Sequence, residues 1–104
     1  MKTIDDGNAF EQEVAKQKGV VLVDFYTDGC PPCRMMAPVL EETALERAGV
    51  KIVKVNAAVN TEVATTFRVT AVPTFILFKD GQVKAQFIGA RSKKDLLSWI
   101  DANC

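Results

Sequence analysis

The stretch VVLVDFYTDGCPPCRMMAP, residues 20–38, joins an apolar run, a short polar break, two cysteines separated only by prolines, and the start of a helical pattern. Val20 to Tyr26 are β-branched, aromatic and nearly unbroken in apolarity, the signature of a strand buried on both faces of a sheet. From Pro32 to Gly49 the pattern changes period. Met36, Val39, Leu40 and Ala44 fall on one helical face, and Gly49 is a natural terminator. Pro38 lies inside this helix, where its ring removes a hydrogen bond to the carbonyl of Arg34, so a kink is expected. The cysteine pair therefore falls where a central strand gives way to a helix.

Working outward, VKIVKVNA (Val50 to Ala57) alternates apolar residues with lysines and reads as a second strand. A strand, a helix and a second strand make a parallel βαβ unit. Upstream, Asn8 to Gly19 reads as a helix capped by Asn8, with Phe10, Val14 and Ala15 on one face and Gly19 as its stop. Residues 60–69 read as a short helix capped by Asn60 or Thr61. TFILFKDGQVKAQFIG (Thr74 to Gly89) carries two strand-like runs around Asp80-Gly81, a pair suited to a tight hairpin turn. Ser92 and Asp95 stand in capping-box spacing ahead of an apolar face made by Leu96, Trp99 and Ile100. With a short edge strand at Lys2 to Ile4, the order predicts an α/β fold in which helices flank a mixed central sheet, built as one domain over residues 1–104.

Bulk properties narrow the function. The chain has 104 residues, 48% of them hydrophobic, which is enough for one core. Thirteen basic and thirteen acidic residues cancel, which argues against a nucleic-acid partner. No apolar run has the length of a membrane span or follows a signal-peptide pattern, so no membrane partner and a cytoplasmic location are expected. In a reducing compartment, cysteines tend to be catalytic, redox-sensing or metal-binding rather than structural.

Three readings of Cys30 and Cys33 are open. A structural zinc site needs about four ligands, but the chain has no histidine and its only other cysteine is Cys104. A metal or cluster shared between two chains is the remaining form of that reading. A structural bridge across two residues removes little entropy from the unfolded chain, because that stabilisation grows with loop length. A cycling dithiol fits the location, since open α/β sheets place their sites at the carboxyl ends of strands. The N-terminus of a helix also offers unpaired N–H groups and partial positive charge, which favour a thiolate. Cys30, one step before the helix, is expected to be the exposed attacking thiol, and Cys33 its partly covered resolving partner. Asp24 stands in the apolar run, where desolvation should raise its pKa into a range useful for acid–base work.

A C-x-x-C closing a βαβ strand is a thioredoxin-like signal. VLVDFY…CPPCRMMAPVLEE, KIVKVN, VTAVPTFILFKDGQ and IGARSKKDLLSWIDAN resemble the thioredoxin family in order and spacing over nearly the whole chain. The resemblance implies a thioredoxin-like three-layer sandwich and a protein-disulfide reductase with no cofactor or metal of its own. Disulfide-containing proteins would be its substrates and a flavin-dependent thioredoxin reductase its electron source. It further implies that Asp24 is the buried aspartate serving the resolving cysteine and that Lys54 is a lysine able to pair with it. Pro73 would be the cis-proline facing the cysteines. Val72 would offer its backbone to an extended substrate segment, and Gly89 would keep the neighbouring groove clear. A monomer is the expected state. A binding module with an incidental dithiol is the alternative, and an intact pair accompanied by Asp24 and Pro73 argues against it.

Four positions depart from the family pattern. Gly29 stands where tryptophan is usual, Pro31 where glycine is usual, Ala58 for an aspartate and Ala71 for a glycine. Pro31 and Pro32 both lack an N–H, which leaves the amides of Cys33 and Arg34 to serve the Cys30 thiolate. Fewer donors and a stiffened loop both favour a reductant over an oxidant. Gly29 opens the flank of Cys30, with Tyr26 as a substitute cover, and together with Pro31 it leaves room for an unusual reductase. The Met35-Met36 pair and Trp99 read as packing residues, Lys93 and Lys94 as a solvated face, and Cys104 as a solvated thiol.

Overall fold

A computed structural model describes all 104 residues, Met1 to Cys104. Its elements follow the order β1 (Lys2–Ile4), α1 (Gly7–Phe10) continued by a π-helical segment (Glu11–Ala15), β2 (Val20–Tyr26), α2 (Pro31–Glu46), β3 (Val50–Asn56), α3 (Thr61–Thr66), β4 (Thr74–Lys79), β5 (Gln82–Ile88) and α4 (Lys93–Asn103). The sheet runs β1-β3-β2-β4-β5. β1 and β2 lie parallel to β3, while β4 is antiparallel to both β2 and β5. The mixed sheet flanked by helices is thus the expected three-layer sandwich, with β2 at its centre.

Alternation along the central strands sorts the core into two layers. Val21, Val23 and Phe25 of β2, Val53 and Val55 of β3, and Ile76 and Phe78 of β4 pack with Phe10, Val14 and Val63, on the side of α1 and α3. Leu22, Ile52, Phe75 and Leu77 face the other way and pack with Met36 and Leu40 of α2 and with Leu96 and Ile100 of α4. Phe87 stacks on Phe75 at 4.9 Å and meets Trp99 edge-on at 4.7 Å, so Trp99 packs as expected.

Helix ends follow side-chain chemistry, with some differences from the sequence reading. Asp6, not Asn8, caps α1, its carboxylate accepting from the Ala9 amide at 2.7 Å. Asn8 lies two residues further on, already inside the helix, whereas Asp6 has the extended backbone a cap requires. Asn60 precedes α3, but its amide donates to the carbonyls of Ile4 and Asn56 and so ties the helix start to β1. α2 ends at Glu46, three residues before Gly49, because Arg47 leaves helical geometry and forms a bidentate pair with Asp101 of α4 at 2.7 and 2.9 Å. Ser92 caps α4 as read, accepting from the Asp95 amide at 3.1 Å. Lys93 is not simply solvated, since its Nζ lies 2.8 Å from Glu46.

The hairpin turn has positive φ at both Asp80 (51°) and Gly81 (81°), as a type I′ turn needs. Gly81 is required twice over, because a Cβ there would lie 2.2 Å from the carbonyl oxygen of Ala15. The turn docks on the end of the first helix, where the Asp80 carboxylate accepts from the Gly19 amide at 2.7 Å. α2 runs through Pro38 without interruption.

Candidate active site

β2 delivers the chain to the end of the sheet at Tyr26, and Thr27 to Gly29 carry it over to Cys30, the N-cap of α2. Cys30 has extended backbone (φ −115°, ψ 102°), and its sulfur accepts from the Cys33 amide at 3.2 Å, as a serine or aspartate cap oxygen would. The Arg34 amide, the other candidate donor, is committed to the carbonyl of Cys30 at 3.1 Å. With Pro31 and Pro32 lacking N–H groups, one amide serves this sulfur, which is fewer than the sequence reading allowed. Cys30 and Cys33 are joined as a disulfide with Cα atoms 5.2 Å apart.

Both cysteines are nearly covered, Cys30 at 7% and Cys33 at 8% exposure, so as whole residues they do not show the expected contrast between an exposed Cys30 and a covered Cys33. In the oxidised pair each sulfur occupies part of the other's solvent shell, within one helical turn.

Asp24 lies on β2 between Lys54 of β3 and Phe75 of β4. It shares the strand parity of Leu22, so it faces the α2 and α4 layer. It is 1% exposed and its Oδ1 has no hydrogen-bond partner. Burial pushes its carboxyl up to about 7, against the opposing pull of the Lys54 charge. The predicted rise is therefore present, and its first cause is desolvation.

Lys54 departs from the expected pairing. No ion pair joins it to Asp24; its Nζ sits 4.5 Å from the centre of the Tyr26 ring. The ammonium rests on an aromatic face while its charge still acts on the neighbouring strand. Tyr26, Asp28, Cys33, Arg34, Ala37 and Lys54 line a cleft of about 420 Å³. Tyr26 thus walls the Cys33 side of the site. Arg34 and Ala37 also line the cleft, although neither side chain was expected at the site. Helical spacing was the available signal, since Ala37 lies four residues after Cys33 and shares its face. The Arg34 guanidinium donates to the Asp28 carbonyl at 3.0 Å and so holds the approach loop.

The Val72–Pro73 bond is cis. The buried Pro73 accepts from the Gly89 amide at 2.8 Å, which brings Gly89 beside it. Gly89 has φ +100°, a conformation side-chain-bearing residues rarely adopt, and a Cβ there would point into open space. Ala58, Ala71 and Val72 share a second, smaller cleft of about 230 Å³ with Thr27. Two of the four departures thus fall together. Gly29 is exposed, and a Cβ there would meet nothing within 4 Å, so its flank is open. Met36 is buried as read, but Met35 is 68% exposed on the same helix. Cys104 is exposed and unpaired.

A cysteine pair at the start of a helix, just past the carboxyl end of a central strand that carries a buried carboxyl, defines a thiol–disulfide oxidoreductase. The family model for thioredoxin matches residues 2–102, and the chain belongs to the thioredoxin family. It is 45% identical to the thioredoxin of Pseudomonas aeruginosa over 96 residues, covering 91% of this chain and 89% of that one. It is 40% identical to the thioredoxin of Rhodospirillum rubrum over 104 residues, covering 99% of each. The X-ray structure of Fasciola hepatica thioredoxin superposes with a TM-score of 0.92 at 34% identity over the whole of both chains. The protein is accordingly a protein-disulfide oxidoreductase. No helix is long and apolar enough to cross a membrane.

Proposed function

We propose that the chain is a monomeric, single-domain reductant of protein disulfides, working in the cytoplasm and re-reduced by a flavin-dependent thioredoxin reductase. The Cys30 thiolate attacks a substrate disulfide, forms a mixed disulfide and releases one substrate thiolate. The Cys33 thiolate then attacks the Cys30 sulfur, closes the Cys30–Cys33 bond and releases the second substrate thiolate. Asp24 takes the Cys33 proton, and the Lys54 charge steadies the carboxylate that receives it. Gly29, Pro31, Pro32, Val72, Pro73 and Gly89 form the surface that receives the substrate, with the Val72 backbone pairing with an extended segment.

The observation that carries this reading is the single amide on the Cys30 sulfur, at 3.2 Å, in a chain that also buries an unpaired carboxyl on the α2 side of the same strand end. The sulfur has a donor that stabilises its anion, and the site holds a proton acceptor that changes state near neutral pH. Insulin reduction driven by dithiothreitol tests the assignment. Replacing Cys30 with Ser should abolish it. Cys33→Ser should retain the first attack and accumulate a mixed disulfide. Activity surviving both replacements would demand a different mechanism.

The direction of electron flow is tested at Pro31. A hydrogen bond to a charged group contributes about 1.5–3 kcal/mol, equivalent to roughly one to two units of pKa. A donor restored by Pro31→Gly should therefore make Cys30 more acidic and the pair more oxidising. An unchanged potential would remove the missing-donor explanation.

A further inference from the structure

Two clefts adjoin the Val72–Pro73 segment and its neighbour Gly89, and they differ in charge. The cleft of about 230 Å³ that includes Val72 has no charged side chain in its walls. On the Gly89 side, Met35, Met36 and Val39 of α2 line a cleft of about 360 Å³ together with Ala90, Arg91 and Ser92. Arg91 is the one charged residue there. Met35, 68% exposed, gives this cleft an apolar wall open to solvent.

The segment from Gly89 to Ser92 is pinned at three points. The Gly89 amide donates to the Pro73 carbonyl at 2.8 Å, and the Arg91 amide donates to the Met36 Sδ at 3.4 Å. The Ser92 hydroxyl oxygen accepts from the Asp95 amide at 3.1 Å. The Arg91 guanidinium is anchored as well, 3.8 Å from the centre of the Phe87 ring. Phe87 in turn packs against Phe75 and Trp99. A guanidinium resting on a ring keeps its edge N–H groups free for a carboxylate, and no ion pair of the chain includes Arg91. Its neighbour Lys93 is engaged with Glu46 at 2.8 Å, and the positive charges of the Tyr26–Lys54 cleft share that cleft with Asp28. Arg91 is thus a fixed cation without a counter-ion, and a group already held in place loses less freedom on binding. The thirteen basic and thirteen acidic residues cancel, so selection by charge falls to local groups such as this one.

We infer that Arg91 is a specificity-determining residue for disulfide reduction, selecting protein substrates that carry an acidic side chain close in sequence to the reacting cysteine. The stem of that side chain lies against Met35 and Ala90, and its carboxylate meets the edge of the guanidinium. Arg91 stands two residues beyond Gly89, a reach of about 7 Å along an extended chain. The carboxylate therefore belongs about two or three residues from the substrate cysteine. The inference rests on the reading of the chain as a reductant of protein disulfides and names the class of substrate it prefers.

The test uses the full chain carrying Cys104→Ser, reduced beforehand. Its substrates are symmetric disulfide dimers of an end-blocked pentapeptide X-Ala-Cys-Ala-X, with X as Glu, Gln or Lys. Second-order rate constants are measured by acid quench and chromatography, and each is divided by that peptide's own rate with dithiothreitol to remove intrinsic reactivity. The expected order is Glu, then Gln, then Lys. Arg91→Gln should compress the Glu-to-Lys ratio by about two- to fivefold, the range an exposed charge pair supplies. Arg91→Lys, which keeps the charge, should preserve the order. Lys94→Gln removes the same charge outside the cleft and should leave the ratio in place. A ratio unmoved by Arg91→Gln, or compressed equally by Lys94→Gln, would overturn the inference. A packing defect in Arg91→Gln would slow all three peptides together and leave the ratio unmoved, so it cannot imitate the expected result. Failure of the parent to reduce any of the peptides or insulin would instead sink the reductant reading itself.

Discussion

The two sides of the sheet are built from the same strands by opposite rules. Toward α1 and α3, β2 contributes Val21, Val23 and Phe25, all of them apolar. Toward α2 and α4, the same strand contributes Leu22 and then Asp24, a buried carboxyl without a hydrogen-bond partner for Oδ1. On this strand one layer receives only apolar side chains, while the other also receives a carboxyl whose pKa burial raises, on the side of the sheet that α2 covers. Strand parity separates the two tasks, since a single-residue step moves a side chain from one layer to the other.

Cutting into the closed layer should give the largest effect on stability. Phe25 is fully buried there, and Phe25→Ala should cost about 3–5 kcal/mol from lost transfer energy and a residual cavity. Urea denaturation would show this as a fall in midpoint, with insulin reduction per folded molecule retained. A loss of activity in the folded fraction would mean that the two layers are coupled.

The Asp24 layer should respond with the opposite sign. The folded state holds the proton more tightly than the unfolded chain, with a pKa of about 7 against an ordinary 3.8. Stability is therefore unpenalised below about pH 3.8, falls as pH rises between the two values, and reaches its full penalty above about 7. At about 1.36 kcal/mol for each unit of pKa, the penalty has a ceiling of about 4 kcal/mol. Asp24→Asn should recover part of it at pH 8 and almost none at pH 4, while slowing release of the mixed disulfide. Denaturation midpoints for parent and variant at both pH values test the first effect, and single-turnover reduction tests the second. A stability gain equal at both pH values would place the benefit elsewhere than in the titration.

The smallest effect sharpens the comparison at the rim of the functional layer. Ser92 caps α4, which covers that layer with Leu96 and Ile100. Ser92→Ala should cost about 1 kcal/mol of stability and leave the pH dependence of disulfide reduction unchanged. A shifted pH profile would mean that α4 helps set the environment of Asp24.

Much of the fold was legible because its signals are local. The apolar run of β2 matches residue for residue, Asp80-Gly81 takes the expected turn, and Ser92 caps α4. The errors fall where two chemistries compete for one position. Asp6 and Asn8 are both cap-forming residues, and backbone direction selected Asp6. Gly49 lost the helix terminus to Arg47, whose partner Asp101 is fifty-four residues away and invisible to any local pattern. Met35 and Met36 are adjacent, so a helix had to send one inward and the other toward solvent.

The order of residues alone determined the α/β layering, the placement of Cys30 and Cys33 where β2 meets α2, and the upward displacement of the Asp24 pKa. Each follows from the period of apolar residues or from the cost of a charge in an apolar segment, both written along the chain. Only the tertiary structure decided that Lys54 rests on Tyr26 instead of closing on Asp24, that one amide rather than two serves the Cys30 sulfur, and that the cleft opens onto Cys33. Those outcomes depend on which of several feasible partners lies nearest once separate strands and helices are brought together, and a linear sequence does not contain that distance.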